Sequence, residues 1–310
     1  MAEKKIIIKD STLRESMDTP GVFFTFRQRL KIARLLERAG VDEIEIIAPS
    51  RVSRDLEFAK LFRKEKAKIK TSGLAYAFNP DYRREIDALS RCVDRFDILM
   101  PVSLKRKPFD KEAKISCLLK TLDFALQCCP DVGVGFPHAT QVKREFLLAI
   151  GREALRQGAR RITVYDTNGS ADPFQIRAMI ASLRKEAKKA QLFFHAHNDL
   201  GMATANSLAA AFSGIDGLDV TVNGLGDRAG NASLEQVTLG LILRGFKTQV
   251  KISQLKLLSA TIEKESTIKL SKLAPVVGEY ALSHKSPAHF ENTKLFEAFN
   301  PHLLGHKRKQ

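Results

Sequence analysis

Short apolar runs alternate with amphipathic stretches along most of the chain. Residues 5–9 form a β-branched run typical of a strand, and residues 26–39 repeat apolar positions at helical spacing until Gly40. The same alternation predicts eight strands, at 5–9, 43–47, 69–74, 96–100, 132–136, 161–165, 192–196 and 218–222. It predicts a helix after each strand, at 26–39, 54–63, 82–91, 111–127, 141–157, 173–189, 203–212 and 234–243.

This order of elements predicts the fold class. Eight consecutive strand–helix units indicate an α/β protein, and specifically a (β/α)8 barrel formed by residues 1–250. A doubly wound open sheet is the alternative, but the count of eight and the polar residues at many strand ends favour the barrel. Residues 251–310 contain a helix at 252–270 and an irregular segment, too short for a core of their own. We expect them to form a helical C-terminal extension that packs on the barrel or on a partner subunit.

Composition and charge limit the classes of protein to which this chain can belong. The chain has no apolar run long enough to cross a bilayer and no signal-peptide layout, so we expect a cytoplasmic protein without a membrane partner. Its four cysteines lack zinc-site spacing and are expected to be reduced thiols. The net charge of +16 is spread through helical segments without a nucleic-acid-binding motif. It therefore indicates attraction for anionic substrates and no nucleic-acid partner.

Two histidines mark the end of the seventh predicted strand. In a strand, residues i and i+2 point to the same side, so His195 and His197 can direct their imidazoles at one point. Paired imidazoles of this kind are typical of a divalent-metal site. Many such pairs are surface or structural residues, but the Asn198-Asp199 that follows and the glycine-rich turn at 223–231 strengthen the interpretation.

Polar side chains also follow several other predicted strands. In a (β/α)8 barrel the C-terminal ends of the strands meet at one mouth, where active sites lie. Any one of these residues could instead cap a helix or form a turn. Together they predict carboxylates, imidazoles, an arginine and amides at one mouth: Asp10, Arg14, Glu15, Glu45, Asp166, Asn168, His195, His197, Asn223 and Asn231.

Four motifs resemble those of a family of metal-dependent barrels that contains isopropylmalate, homocitrate and citramalate synthases and hydroxymethylglutaryl-CoA lyase. They are D-S-T-L-R-E at 10–15, D-T-N-G at 166–169, H-A-H-N-D at 195–199 and G-L-G-D-R-A-G-N at 224–231. The resemblance covers nearly the whole chain. It is strongest to homocitrate synthases, particularly the short type associated with nitrogenase, because a Glu follows Arg14 and because 203–206 and 221–226 are similar to that group.

The resemblance implies a set of metal ligands. Glu15, His195 and His197 match the ligands of one divalent ion, which would be Mg, Mn or Zn. Asn231 matches an amide near or on that ion. Asp10 is the other candidate ligand from the first strand, and we expect it to brace the loop instead.

The resemblance also implies roles in binding and catalysis. Arg14 matches an arginine that stabilises the enolate or a substrate oxygen, and Glu45 matches the acidic residue that supports it. Thr167 matches a threonine that contacts the substrate carboxylate. His284 matches a tail histidine that acts in proton transfer, often on a partner subunit, so we expect a homodimer.

The activity that the resemblance implies is an acyltransferase reaction. It would condense acetyl-CoA with a 2-oxo acid in a Claisen-type step, followed by hydrolysis of the thioester. Two alternatives stay open at this point. One is a metal-dependent carbon–carbon lyase or aldolase of the hydroxymethylglutaryl-CoA lyase type, and the other is a degenerate barrel that binds a ligand without turnover.

The substrate pocket departs from the family pattern. Asp18 stands where the family has a Gln that holds the 2-oxo acid, F-P-H-A-T at 136–140 replaces an acidic pair, and L-A-Y-A-F at 74–78 replaces a basic residue. We therefore expect an acceptor smaller or less charged than 2-oxoglutarate. Asp18 should repel an anionic substrate unless a nearby cation neutralises its charge. His138 and residues 105–107 are the candidates for this cation.

The tail departs from the pattern as well. Pro287-Ala288 replaces a Gly-Ile, and Phe296 replaces a Tyr. The sequence ends at Gln310, before the next Gly-Lys-His segment of the family. We accordingly expect no regulation through a separate C-terminal domain.

Overall fold

A computed structural model, which describes residues 4–103 and 110–305, confirms the predicted (β/α)8 barrel. Eight parallel strands pair in chain order, and the eighth closes onto the first. The strands are β1 (Ile7–Asp10), β2 (Glu43–Ile47), β3 (Lys70–Tyr76), β4 (Arg95–Leu99), β5 (Val132–Phe136), β6 (Arg161–Asp166), β7 (Gln191–Ala196) and β8 (Gly217–Val220).

Helices follow the strands on the outside of the barrel and continue into the C-terminal segment. They are α1 (Thr12–Glu15), α2 (Phe26–Ala39), α3 (Val52–Lys64), α4 (Tyr82–Ser90), α5 (Lys111–Cys128), α6 (Arg144–Gln157), α7 (Pro173–Glu186), α8 (Ala203–Phe212), α9 (Leu234–Ile242), α10 (Leu255–Ser266), α11 (Pro287–Glu291) and α12 (Thr293–Phe296). In the described ranges, no helix is both long and apolar enough to cross a membrane.

Local sequence signals set the bounds of α2. Thr25 and Gln28 form a reciprocal capping box at its start, and Gly40 adopts a left-handed conformation with φ of 84° at its end. Apolar residues such as Ile32 and Leu36 are fully buried against the barrel. The predicted range of this helix is confirmed to the residue.

The interior of the barrel is charged rather than filled by branched apolar residues. Arg161 on β6 makes two hydrogen bonds of 2.9 and 2.7 Å to the carboxylate of Glu43 on β2. Lys9 on β1 lies 2.7 Å from Glu45 and 2.9 Å from Asp219 on β8. Buried charges of this kind are stable only when they are paired. The Arg161–Glu43 pair joins β6 and β2 across the barrel, and the Lys9 pairs join β1 to its neighbours β2 and β8.

The segment after the barrel begins by packing on the barrel itself. Leu255, Leu258 and Ile262 of α10 are buried, and Glu265 accepts hydrogen bonds from Lys31 (2.6 Å) and Gln28 of α2. The predicted helix at 252–270 is shorter in the structure, because Ile252–Gln254 forms a 3-10 turn and Thr267 turns left-handed, with φ of 63°. The boundary between residues 1–250 and 251–310 and the packing on a partner subunit stay predictions.

Candidate active site

Glu15, His195 and His197 lie together and buried at the C-terminal mouth of the barrel. Helix α1 follows β1 directly and carries Glu15, while His195 is near the end of β7 and His197 comes just after it. One potential ligand atom from each lies within 4.8 Å of the others. The Nε2 atom of His195 is 3.3 Å from Oε1 of Glu15 and 3.4 Å from Nε2 of His197.

Asp219 orients the first histidine. Its Oδ2 lies 3.2 Å from Nδ1 of His195, so the carboxylate accepts the Nδ1 proton and directs Nε2 at Glu15 and His197. Burial by itself lowers the pKa of His195, but the hydrogen bonds to Asp219 and Glu15 outweigh it, and the pKa is raised.

The donor set fits a divalent metal ion. Burial and the neighbouring His195 lower the pKa of His197 to about 4, so its imidazole is neutral at pH 7 and can offer a lone pair. Burial alone raises the pKa of Glu15, but Arg14 outweighs it and holds that pKa well below its usual range. One carboxylate and two imidazoles with converging acceptor atoms are ligands typical of Zn²⁺ and related ions.

Asn231 lies beside this cluster, as the sequence predicts. Its amide nitrogen is 3.0 Å from Nε2 of His195, and its amide oxygen is buried with no hydrogen-bond partner within the described ranges. The two amide atoms exchange places by a half-turn of the side chain, so either can face the cluster. Gly226 makes room for this amide, because a Cβ there would lie 1.8 Å from the amide oxygen.

Arg14 is fixed by carboxylates next to the cluster. Its Nε donates to Oε1 of Glu45 at 2.5 Å, and its Nη1 pairs with Glu15. The other oxygen of Glu45 accepts from Lys9 at 2.7 Å. The remaining nitrogen of Arg14, Nη2, is buried and has no hydrogen-bond partner in the described part of the chain. The predicted support of Arg14 by Glu45 is thus present as a direct contact.

Asp10 makes hydrogen bonds that hold the loop after β1 in place. Its carboxylate accepts from the backbone and hydroxyl of Thr12 at 2.9 and 3.0 Å, and that hydroxyl accepts from the backbone of Val222 at 2.8 Å. These bonds tie the loop after β1 to the loop after β8. Burial raises the pKa of Asp10 to about 7.

Thr167 lies in the loop after β6. Its hydroxyl accepts a hydrogen bond of 2.8 Å from the backbone of His138, which leaves the hydroxyl proton free to donate. Its carbonyl accepts from Arg228 at 2.6 Å, and Arg228 also pairs with Asp199. The contact of Thr167 with a substrate carboxylate stays a prediction.

The charge of Asp18 is compensated by a residue that the sequence did not indicate. Arg51, from the 3-10 turn that precedes α3, forms an ion pair with Asp18 and donates to the carbonyl of Arg14 at 2.9 Å. His138, one of the expected compensating residues, lies 3.2 Å from the side-chain oxygen of Asn168. The other expected compensating residues, 105–107, lie outside the described residues.

His284 lies in the C-terminal extension. Its Nδ1 is 3.2 Å from Nδ1 of His289, and its Nε2 is 3.6 Å from Glu297. Each of these neighbours belongs to the extension as well. A role of His284 in proton transfer stays a prediction.

Sequence reasoning missed three residues of this site: Lys9, Asp219 and Tyr165. Lys9 and Asp219 are charged residues within buried strands. A charge inside such a strand was the signal in the sequence that could have indicated a role for them. Tyr165 on β6 packs its ring 4.8 Å from the ring of His195 and belongs to an apolar cluster with Leu74 and Leu99. Burial, reinforced by Glu45 and other nearby carboxylates, raises the pKa of Tyr165 well above its ordinary value.

Known proteins are similar to this chain in sequence and in fold. A probable 2-isopropylmalate synthase of Methanopyrus kandleri is 33% identical over 98% of this chain and 62% of its own length. Homocitrate synthase AksA of Methanocaldococcus jannaschii is 32% identical over 98% of this chain and 77% of its own length. This chain therefore spans less than two thirds of the length of the first of these relatives.

One solved structure and one family model also match this chain. The HMG-CoA lyase of Bacillus subtilis superposes with a TM-score of 0.74 at 22% identity, covering 87% of this chain and 97% of that one, and shows the same fold. The sequence matches the family described as HMGL-like over residues 5–262. The chain belongs to the HMGL-like family.

Proposed function

We propose that this protein is an acyl-CoA:2-oxo acid C-acyltransferase that condenses acetyl-CoA with a 2-oxo acid. The observation that carries the proposal is the buried Arg14, whose Nη2 has no acceptor among the described residues and lies beside the cluster of Glu15, His195 and His197. The names of the two synthases that resemble the chain support this reaction class.

The cluster would hold one divalent ion, Mg²⁺, Mn²⁺ or Zn²⁺, with Asn231 beside it. Bound by Glu15, His195 and His197, such an ion supplies Lewis acidity that polarises a ketone. Asp219 keeps the Nδ1 proton on His195 and so holds its Nε2 lone pair toward the other ligands.

Arg14 would stabilise negative charge on substrate oxygen. The enolate of acetyl-CoA attacks the ketone carbon, and the charge that develops on the ketone oxygen meets the guanidinium. Because Glu45 and Lys9 fix this side chain before substrate binds, no free energy is spent on orienting it during the reaction. A donor of this kind is worth roughly 10²–10³ in kcat.

The acceptor would be a 2-oxo acid with a small or apolar side chain. Leu74, Leu99 and Tyr165 form an apolar cluster next to His195, where a distal carboxylate would lack a partner. Asp18 is neutralised by Arg51, so this pair offers no free cation to such a carboxylate either. The hydroxyl of Thr167 is the proposed donor to the carboxylate next to the ketone.

His284 would move a proton during the reaction, in the active site of its own or a partner subunit. Its position in the extension supports a homodimer in which this segment exchanges or caps the site. Acetyl-CoA and the 2-oxo acid are anions, and a net charge of +16 favours their approach.

Release of the free thiol of coenzyme A tests this proposal. The purified protein with Mn²⁺ is supplied with acetyl-CoA and, in turn, pyruvate, 2-oxoisovalerate and 2-oxoglutarate. We expect acceptor-dependent release, with higher kcat/KM for one of the first two acceptors. A clear preference for 2-oxoglutarate would contradict the acceptor class, cleavage of a hydroxyacyl-CoA without condensation would indicate a lyase, and binding without turnover would indicate a degenerate barrel.

A further inference from the structure

Two buried hydrogen-bond donors near the metal-binding cluster have no partner in the part of the chain that the structure describes. One is Nη2 of Arg14 and the other is the hydroxyl of Tyr165, and neither finds an acceptor within the described residues. A buried donor without an acceptor destabilises the folded state. A phenylalanine would fill the same space as Tyr165 without that cost, so the hydroxyl needs a separate explanation.

Both donors border the same group of side chains. Tyr165 on β6 is the register partner of His195 on β7, and their rings are 4.8 Å apart. Arg14 pairs with Glu15, whose Oε1 is 3.3 Å from Nε2 of His195. A small molecule held at Glu15 and His195 would therefore meet one donor from α1 and the other from β6.

The ring of Tyr165 is held in place by its packing. It contacts Leu74 and Leu99, and the absence of a side chain at Gly135 makes room for it. A Cβ at Gly135 would lie 2.4 Å from Cδ2 of Leu99 and 3.0 Å from Cε2 of Tyr165. Such close packing fixes the position of the hydroxyl before any ligand binds.

An unpartnered buried hydroxyl is not diagnostic by itself. Tyr82 on α4 also has a buried hydroxyl without a partner among residues 4–103 and 110–305, but its ring packs against Phe124 on the outside of the barrel. Tyr165 differs because its ring lies against His195, whose Nε2 is 3.3 Å from Glu15. The position of its ring beside His195, and not the missing partner alone, makes Tyr165 a candidate catalytic residue.

We propose that Tyr165 is a further catalytic residue, in a role that rests on the proposed condensation. Its hydroxyl donates a hydrogen bond to the ketone oxygen of the 2-oxo acid, alongside Nη2 of Arg14. When the carbon–carbon bond forms, the electron pair of the ketone double bond moves to that oxygen, and the two donors stabilise the resulting alkoxide. The alkoxide then takes a proton from solvent, and Tyr165 keeps its own.

Tyr165→Phe tests this role, and Tyr82→Phe is the matched control, since each removes one buried, unpartnered hydroxyl. For Tyr165→Phe we expect kcat for thiol release to fall about 10²-fold, with the bound Mn²⁺ unchanged and the melting temperature no lower than that of the unaltered protein. For Tyr82→Phe we expect the kcat of the unaltered protein. Unchanged kcat in Tyr165→Phe overturns the inference, whereas absence of thiol release from the unaltered protein with every acceptor overturns the proposed function and the inference with it.

If Tyr165→Phe does not fold, a second variant, Gly135→Ala, tests the role of the hydroxyl. Gly135→Ala keeps the hydroxyl but crowds the ring, because its methyl group would lie 2.4 Å from Cδ2 of Leu99 and 3.0 Å from Cε2 of Tyr165. A fall in kcat with unchanged Mn²⁺ content supports the inference. Full kcat in Gly135→Ala overturns it.

Discussion

The ammonium of Lys9 lies 2.9 Å from Oδ2 of Asp219, and both side chains are buried in the barrel. The same carboxylate lies 3.2 Å from Nδ1 of His195, and the same ammonium lies 2.7 Å from Glu45, which holds Arg14. Lys9 therefore connects the two carboxylates that orient a proposed metal ligand and the proposed catalytic arginine.

Replacement of Lys9 by Met should strongly destabilise the fold. The substitution leaves Glu45 and Asp219 buried without their cation, and breaking a buried ion pair costs about 3–5 kcal/mol. Denaturant unfolding measures this free energy. The matched control is Lys31→Met, which removes a half-exposed pair with Glu265 and should cost less than about 1 kcal/mol. Similar losses in both variants would contradict a structural role of the Lys9 pairs.

Removal of a proposed ligand should release the metal. We expect Glu15→Ala and His195→Ala to lose most bound Zn²⁺ or Mn²⁺ after dialysis, because two remaining ligands hold an ion weakly. Elemental analysis of the purified proteins measures the stoichiometry. His302→Ala, an exposed histidine of the extension, is the control and should keep the content of the unaltered protein. Full occupancy in both ligand variants would show that the ion binds elsewhere.

Replacement of Arg14 by Lys should abolish turnover while the fold survives. A lysine keeps the charge near Glu15 and Glu45 but cannot contact both carboxylates and also offer a planar third donor. We expect kcat/KM for thiol release to fall by roughly 10² or more. Arg34→Lys, at a surface pair with Glu65, serves as control. Equal losses of thermal stability and activity in Arg14→Lys would favour a purely structural arginine.

The C-terminal extension should mediate a homodimer. Leu273 and Leu295 are each 75% exposed, and Tyr280 and Phe296 nearby in the chain are half-exposed. Several exposed apolar side chains within one segment of the chain favour an interface there. We expect a dimer in analytical ultracentrifugation, and a monomer for the double variant Leu273→Asp/Leu295→Asp. Phe174→Asp, a 79% exposed residue of α7, should remain a dimer, and an active monomeric unaltered protein would contradict the prediction.

Asp10 should make stability depend on pH. Its pKa is raised from 3.8 to about 7 in the folded state, so its contribution is complete below the unfolded pKa and is lost as pH rises through about 7. The stability of the unaltered protein relative to Asp10→Asn should therefore fall between about pH 4.5 and pH 8, by up to about 1.4 kcal/mol per pKa unit. Denaturant unfolding at several pH values measures it. A constant difference would show that Asp10 ionises normally.

The barrel was predictable because it rests on local signals. Apolar runs and helical periods mark its strands and helices, and a capping box and a glycine give the two ends of α2. Helix α1 escaped prediction, since four residues are too few to show a helical period. The grouping of His195 and His197 was predictable too, because strand geometry alone puts residues i and i+2 on one side.

The sequence by itself determined the barrel, the end of it that carries the site and the residue types that meet there. Only the tertiary structure decided which buried charges pair, as Lys9 does with Asp219 and Asp18 with Arg51. The alternation of a strand assigns each side chain to the inside or the outside of a sheet, but it does not say what lies opposite across the barrel. Closure of β8 onto β1 brings Asp219 beside Lys9, and the pairing of β6 with β7 places the ring of Tyr165 beside His195.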